Sequence, residues 1–282
     1  SPSATSGTAR AERERNERWI MTHSEKNLEQ YAILNELLRL QYPPVAVKLV
    51  ETGGEVPEHA YGAGGDGRRL ALCQAFALAR RDGKTVYMRR ENHGCWNPLI
   101  ALGHVKCESA DDPGFDLICS VIGVNDAAAA KRFVAGFPRL PAGKYEGVLL
   151  APLDRAEFCP DIWLVYCDNG QLRTILRAVR GQTGELIKSE FDALDSCMYS
   201  IVPPLLNGDY RITLPDPGEH ERALTDNNKI IFSVPQKRFE EFINGARQMS
   251  ASPFGGSVLH REMNLDFPRP PFYDDLFSLW GL

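Results

Sequence analysis

Apolar residues at Leu28, Tyr31, Leu34, Leu37 and Leu38 recur at helical spacing and predict a helix over about 24–40. Ser24 is a suitable cap, and Pro43-Pro44 ends the element. Val45 to Val50 then reads as a buried strand on which Lys48 is out of phase with Val45 and Val47, so it faces the other way. Helices are predicted over 70–81, 126–135, 171–179 and 235–249, with one or two helical turns over 96–102. Strands are predicted over 85–88, 117–124, 145–151, 161–166, 210–213 and 229–234. The stretch 191–206 begins helically but carries Pro203-Pro204.

Helices and strands intermix without a regular βαβ alternation, which predicts an α+β fold with a mixed sheet and packed helices. Composition divides the chain into three parts. Residues 1–20 are small, polar and mixed in charge, and read as an extension or flexible arm. Residues 21–249 form a single α+β domain, and 250–282 form an arm rich in aromatics and proline that packs on the body, on a second copy or on a protein partner. The glycines of Gly62-Ala63-Gly64-Gly65 directly follow no strand and make no dinucleotide-binding fingerprint.

Charge and hydropathy narrow the function classes. Lys plus Arg number 32 against 37 Asp plus Glu, a net charge of −5, which argues against a nucleic-acid binder. No apolar run reaches the roughly 20 residues of a membrane span, and residues 1–18 lack the apolar core of a secretory signal. The seven cysteines, an odd number in a long chain, do not resemble a secreted disulfide framework, so a reducing, cytoplasmic setting is expected.

Three of those cysteines carry candidate chemistry. Cys73 lies near the start of a predicted helix with Arg69 four residues before it, and a cation at a helix start favours thiolate. Cys95 lies in Glu91-Asn92-His93-Gly94-Cys95-Trp96-Asn97-Pro98, a polar turn in which free backbone N–H groups would favour a thiolate and His93 would be a second ligand or a base. Cys197 stands beside Asp195 and Ser196 and reads either as a metal ligand or as core. Cys107, Cys119, Cys159 and Cys167 read as structural, Cys119 within an apolar strand. No pair forms C-x-x-C, which argues against zinc-ribbon and thioredoxin-like sites.

The segments Pro43-Pro44-Val45-Ala46-Val47-Lys48, Leu72-Cys73-Gln74-Ala75, Cys95 with Ala101-Leu102-Gly103, Val148-Leu149-Leu150-Ala151-Pro152-Leu153 and Ser196-Cys197 resemble domain-of-unknown-function family 169. The likeness runs from about Leu28 to Ala246. It implies cysteines at the positions of Cys73, Cys95 and Cys197. It also implies a further cysteine in a Cys-x-Gly segment after a Leu-Pro pair. Here that segment is Leu214-Pro215-Asp216-Pro217-Gly218, with Asp216 in the cysteine's place. The Pro-Gly-Gly that commonly follows the family's second cysteine is Trp96-Asn97-Pro98 in this chain.

Two function classes follow. In the first, Cys73, Cys95 and Cys197 hold an iron–sulfur cluster, with Asp216 or His93 at a remaining position and an open iron for a small ligand or substrate; a zinc site is the alternative. In the second, the chain is a non-catalytic module or accessory subunit that binds a small anion at Lys48, Arg69 and His93. Lys48 and Arg69 are expected in one pocket with Cys73. Whether the chain is an enzyme stays open.

Overall fold

A computed structural model describes residues 23–62, 68–107, 109, 111–124, 126–250 and 270–282. The expected arm at 1–20, the glycines at 63–67 and most of the aromatic arm, 251–269, lie outside the described residues. Helix α1 covers 23–38. A six-stranded sheet follows the order β2-β3-β1-β4-β6-β5. Its strands are β1 (Val45–Glu51), β2 (Val86–Arg89), β3 (Tyr145–Pro152), β4 (Ile162–Cys167), β5 (Arg211–Thr213) and β6 (Ile230–Pro235). The fold is α+β. Every pairing between these strands is antiparallel. The mixed sheet is therefore corrected: the parallel pairings present are isolated bridges, Tyr61 with Val86 and Leu70 with His93.

Helices cover both faces, which is why β1, β3 and β4 read as continuous apolar runs. On one face Val45, Val47, Leu49, Val148, Leu150 and Leu164 pack against α2 (Leu72–Arg80) through Leu72, Ala75, Phe76 and Ala79. The same layer takes in α3 (Trp96–Ala101), α4 (Pro113–Ile122), α5 (Ala127–Gly136), α7 (Ser196–Tyr199) and α8 (Val202–Asn207). On the other face Ala46, Val50, Leu149, Trp163 and Phe232 meet α1, α6 (Asn169–Thr183) and α10 (Phe239–Ser250). Gly245 of α10 lies so close to α6 that a Cβ there would sit 2.6 Å from the Ala178 carbonyl oxygen. Two short elements complete the chain, α9 (Pro217–Glu221) and α11 (Phe272–Trp280).

One strand expectation fails. Residues 117–122 belong to α4 and Gly123 caps it, so no strand forms there, and Cys119 is buried on that helix. Asp112 caps it by accepting from the Gly114 N–H at 2.9 Å, and Gly123 ends it in the left-handed region. These end signals outweigh the short apolar run Leu117-Ile118-Cys119.

Candidate functional site

The structure brings Cys73, Cys95 and Cys197 within electrostatic reach of one another. Each lies at the start of a helix: Cys73 is the second residue of α2, Cys95 the N-cap of α3 and Cys197 the second residue of α7. The side chain of Gln74 accepts from the Ala71 N–H at 2.9 Å and fixes where α2 begins. A short backbone splice sets α2 beside α3: Leu70 N–H donates to Asn92 at 2.8 Å, and Gly94 N–H returns to Leu70 at 2.8 Å. Cys73, Ala71, Ala77, Cys95 and Ala223 then share a small apolar cluster.

Asp216 ties the third thiol to the others. One carboxylate oxygen accepts from the Glu219 N–H at 3.0 Å and so caps α9, and the other accepts from the Ser196 N–H at 2.9 Å. The Ser196 hydroxyl accepts from the Asp216 N–H at 3.2 Å. The Cys73 thiol donates to the Gly218 carbonyl at 3.6 Å, in the first turn of the helix Asp216 caps. Asp216 thus stands among the three cysteines, with both oxygens engaged by backbone.

Cys95 is the most exposed of the three. Its thiol donates to Asn97 Oδ1 at 2.7 Å, and Asn97 Nδ2 donates to Asp195 Oδ1 at 2.7 Å. The guanidinium of Arg222 lies 3.9 Å from Cys95 Sγ, and that contact holds Arg222 above its ordinary range. Burial pushes the Asp195 carboxyl up to about 7, with Asp192 and Asp216 adding and the Asn97 bond opposing. Behind Cys73, Glu219 is fully buried and accepts from Tyr166 Oη at 2.9 Å and Thr225 Oγ1 at 2.8 Å. Arg80 donates to Thr225 Oγ1 at 2.6 Å and stacks over Tyr166 at 4.2 Å. Burial raises Glu219 to about 7 against these bonds.

Cys73 and Cys197 are held neutral. Cys73 is pushed up to about 12, first by burial, then by Glu219, Asp216 and Cys95, with Arg222 opposing. Cys197 is raised by burial, then by Asp216, Cys73 and Cys95. Neighbouring anions disfavour each further negative charge, so a bound cation would be needed to draw the protons off. Among the described residues, no three or more His, Cys, Asp or Glu side chains are placed to hold a single metal ion.

The expected anion-binding residues do not assemble here. Lys48 pairs across the sheet with Leu149, on the face that carries α1, α6 and α10, whereas α2 and Cys73 lie over the opposite face. The shared pocket of Lys48 and Cys73 is therefore corrected, for the reason that strand alternation turns Lys48 away from Val47 and Leu49. Arg69 is exposed and precedes α2, which starts at Leu72, so the one-turn relation to Cys73 does not arise. The cation acting on the thiol is Arg222. His93 is buried beside His104, ring centroids 5.5 Å apart, and burial followed by His104 brings it down to about 3. It is a neutral ring and offers no charge to an anion.

The sequence analysis gave no part to Glu219 or Arg222, and it named Asn97 and Asp195 only as neighbours of Cys95 and Cys197. Asp216-Pro217-Gly218-Glu219 carried a signal, since Asp then Pro with Glu three residues after the Asp marks a helix start. The other cysteines stay structural in their contacts: Cys167 donates to Ile230 O at 3.6 Å, and Cys159 Sγ accepts from Gln236 Nε2 at 3.0 Å.

No helix among the described residues is long and apolar enough to cross a membrane. An uncharacterised protein of Methanocaldococcus jannaschii, MJ0308, is 24% identical over 211 residues, covering 74% of this chain and 89% of its own. No solved structure matches the chain. The model of the DUF169 family, described as uncharacterised ArCR, matches residues 33–245, and that span contains every residue of the thiol site. The chain belongs to the DUF169 family.

Proposed function

We propose that Cys73, Cys95 and Cys197 are the thiolate ligands of an iron–sulfur cluster. The observation that carries this reading is the mutual electrostatic reach of three thiols from α2, α3 and α7, with Asp216 among them. A lone zinc ion needs its ligands about 2.0–2.3 Å from one point, an arrangement absent among the described residues. A cluster distributes its thiolates over several irons and asks less of any single point. It would supply one-electron transfer, or a Lewis-acidic iron where a ligand position stays open.

The chain's own residues have definable parts. Asp216 positions Cys197 through Ser196 and Cys73 through the first turn of α9. Arg222 offsets negative charge beside Cys95. Asn97 turns its amide toward the same sulfur and is braced by Asp195. Protons leaving the thiols on metal binding make assembly pH-dependent. The test is iron and acid-labile sulfide in protein made and purified without oxygen, followed by reconstitution with ferrous iron and sulfide. Bound iron and sulfide in comparable amounts are expected. Protein that takes up neither under both conditions overturns the reading.

The Arg222–Cys95 contact favours a second reading, a reactive thiolate at Cys95 without metal. It predicts rapid alkylation of Cys95 in iron-free protein and no uptake of sulfide.

A further inference from the structure

A cleft of about 680 Å³ opens beside β1, where β4 pairs no further than Val47. Lys48, Lys144 and Lys237 line it together with Glu51, Glu55 and Asp161, so its charges balance and select for neither sign. The unmet polar groups lie elsewhere, in the turns on either side of α3. His93 is 3% exposed, and neither of its ring nitrogens has a hydrogen-bond partner among the described residues. His104 lies beside it, with ring centroids 5.5 Å apart, and its Nε2 is buried and unpartnered as well. Roughly 90% or more of buried polar groups in folded proteins are met by a partner. Three orphaned ring nitrogens on two adjacent rings therefore point to something bound between them.

The backbone holds both rings in place. His93 is bridged to Leu70, and the bonds from Leu70 N–H to Asn92 and from Gly94 N–H to Leu70 are each 2.8 Å long. On the other side of α3, Val105 N–H donates to Leu99 at 2.8 Å and Gly143 N–H donates to Gly103 at 3.1 Å. Gly103 has a φ of +75°, and a Cβ there would lie 2.7 Å from the Pro141 carbonyl oxygen. Only glycine fits this approach, which fixes the residue before His104. The neighbouring Cys95 thiol is directed to Asn97 and Arg222 instead.

We propose that His93 and His104 hold one metal ion of the Zn²⁺ class, with water completing its coordination. Neutral imidazole suits zinc, copper, iron and nickel, whereas magnesium and calcium take oxygen ligands. Two bonds of about 2.0–2.1 Å at a tetrahedral angle place the ligand nitrogens about 3.3 Å apart, a separation that rings with centroids 5.5 Å apart can adopt. The charges that act on His104 are Arg90 and Glu91, one of each sign. The Glu91 carboxylate is exposed and favours a cation; Arg90 opposes it. No third His, Cys, Asp or Glu among the described residues is placed to join the two rings. Two protein ligands make the ion exchangeable, and its water positions leave it Lewis-acidic. The site is separate from the thiols and takes no part in the cluster.

The test uses the full chain carrying Cys95→Ala, prepared free of iron, so that its outcome does not depend on the cluster reading. Co²⁺ stands in for Zn²⁺, because its ligand-field bands report ligation and a thiolate ligand adds a charge-transfer band. One Co²⁺ per chain is expected, displaced by Zn²⁺ and not by Mg²⁺, with no thiolate band. His93→Gln and His104→Gln, each added to this background, should weaken Co²⁺ binding about tenfold or more, the size seen even when a partner behind a metal ligand is lost. Circular dichroism checks that the variants fold. Should His93→Gln fail to fold, His104→Gln decides alone, because that side chain is partly exposed. Absent Co²⁺ uptake, a thiolate band, displacement by Mg²⁺, or unchanged affinity in a folded histidine variant overturns the inference and leaves the ring nitrogens to water alone.

Discussion

Around the thiols, charged groups bond to the backbone and to one another in a packed interior; in the cleft beside β1 they line open space. Asp216 gives both oxygens to backbone N–H groups, Glu219 accepts from Tyr166 and Thr225, and Arg222 turns to Cys95. In the cleft Lys48 and Lys237 donate to neutral carbonyls and border about 680 Å³ of space. The first region is organised around atoms that must lose protons before they bind anything. The second is organised around a volume whose walls already carry their charge. The three thiols lie over one face of the sheet, and the cleft lies where the sheet is incomplete.

The largest effect should come from the layer that seats the thiols. Phe76 is fully buried between α2 and the sheet. Phe76→Ala should cost about 3–5 kcal/mol in urea unfolding and should lower metal uptake, because α2 carries Cys73. Unchanged stability would show that α2 is not anchored as described.

A smaller effect concerns pH. Folded Glu219 titrates at about 7, against an ordinary 4.5, because burial outweighs its hydrogen bonds. Between those values the folded protein holds a proton that the unfolded chain has lost, so stability falls as pH rises through the window and is level above it. Asp195, raised from 3.8 to about 7, acts with the same sign. Comparing urea unfolding of wild type and Glu219→Gln from pH 5 to 8 should show a slope flattened by roughly 1–3 kcal/mol in the variant. Parallel profiles would contradict the assignment.

Smaller again is the effect of Arg222. In iron-free protein at pH 7, Arg222→Ala should slow iodoacetamide modification of Cys95 by about two- to fivefold, in keeping with a partly exposed charge contact. Peptide mass spectrometry reads the site directly, and an unchanged rate would remove Arg222 from the site. Least of all, Lys48→Met should leave iron uptake and Cys95 modification at wild-type levels. A change in either would mean the two regions communicate.

Much of the fold was legible because burial writes itself into the apolar runs. Val45–Val50 and Ile162–Cys167 are apolar since both faces of their strands are covered. The error at 117–124 came from reading three apolar residues in a row and neglecting Asp112 and Gly123, which set the ends of α4. The thiols were legible as members of family motifs, whereas their spacing in the chain held no geometric information. Arg222 was not legible, since its place beside Cys95 depends on how α9 is capped and on contacts between residues 127 positions apart. Arg69 misled because a two-residue difference in the start of α2 removes it from the helix face of Cys73. Asp216 was read for the cysteine it replaces, and its neighbours Pro217 and Glu219 spelled a helix start at the same time.

The central claim is that three of the seven cysteines act as one site. Seven single Cys→Ala variants, each prepared without oxygen, test it through their iron and sulfide content. Cys73→Ala, Cys95→Ala and Cys197→Ala should each bring both to background, while the variants at Cys107, Cys119, Cys159 and Cys167 keep the wild-type amounts. Iron and sulfide retained in all three of the first set, or lost evenly across all seven, would contradict the account.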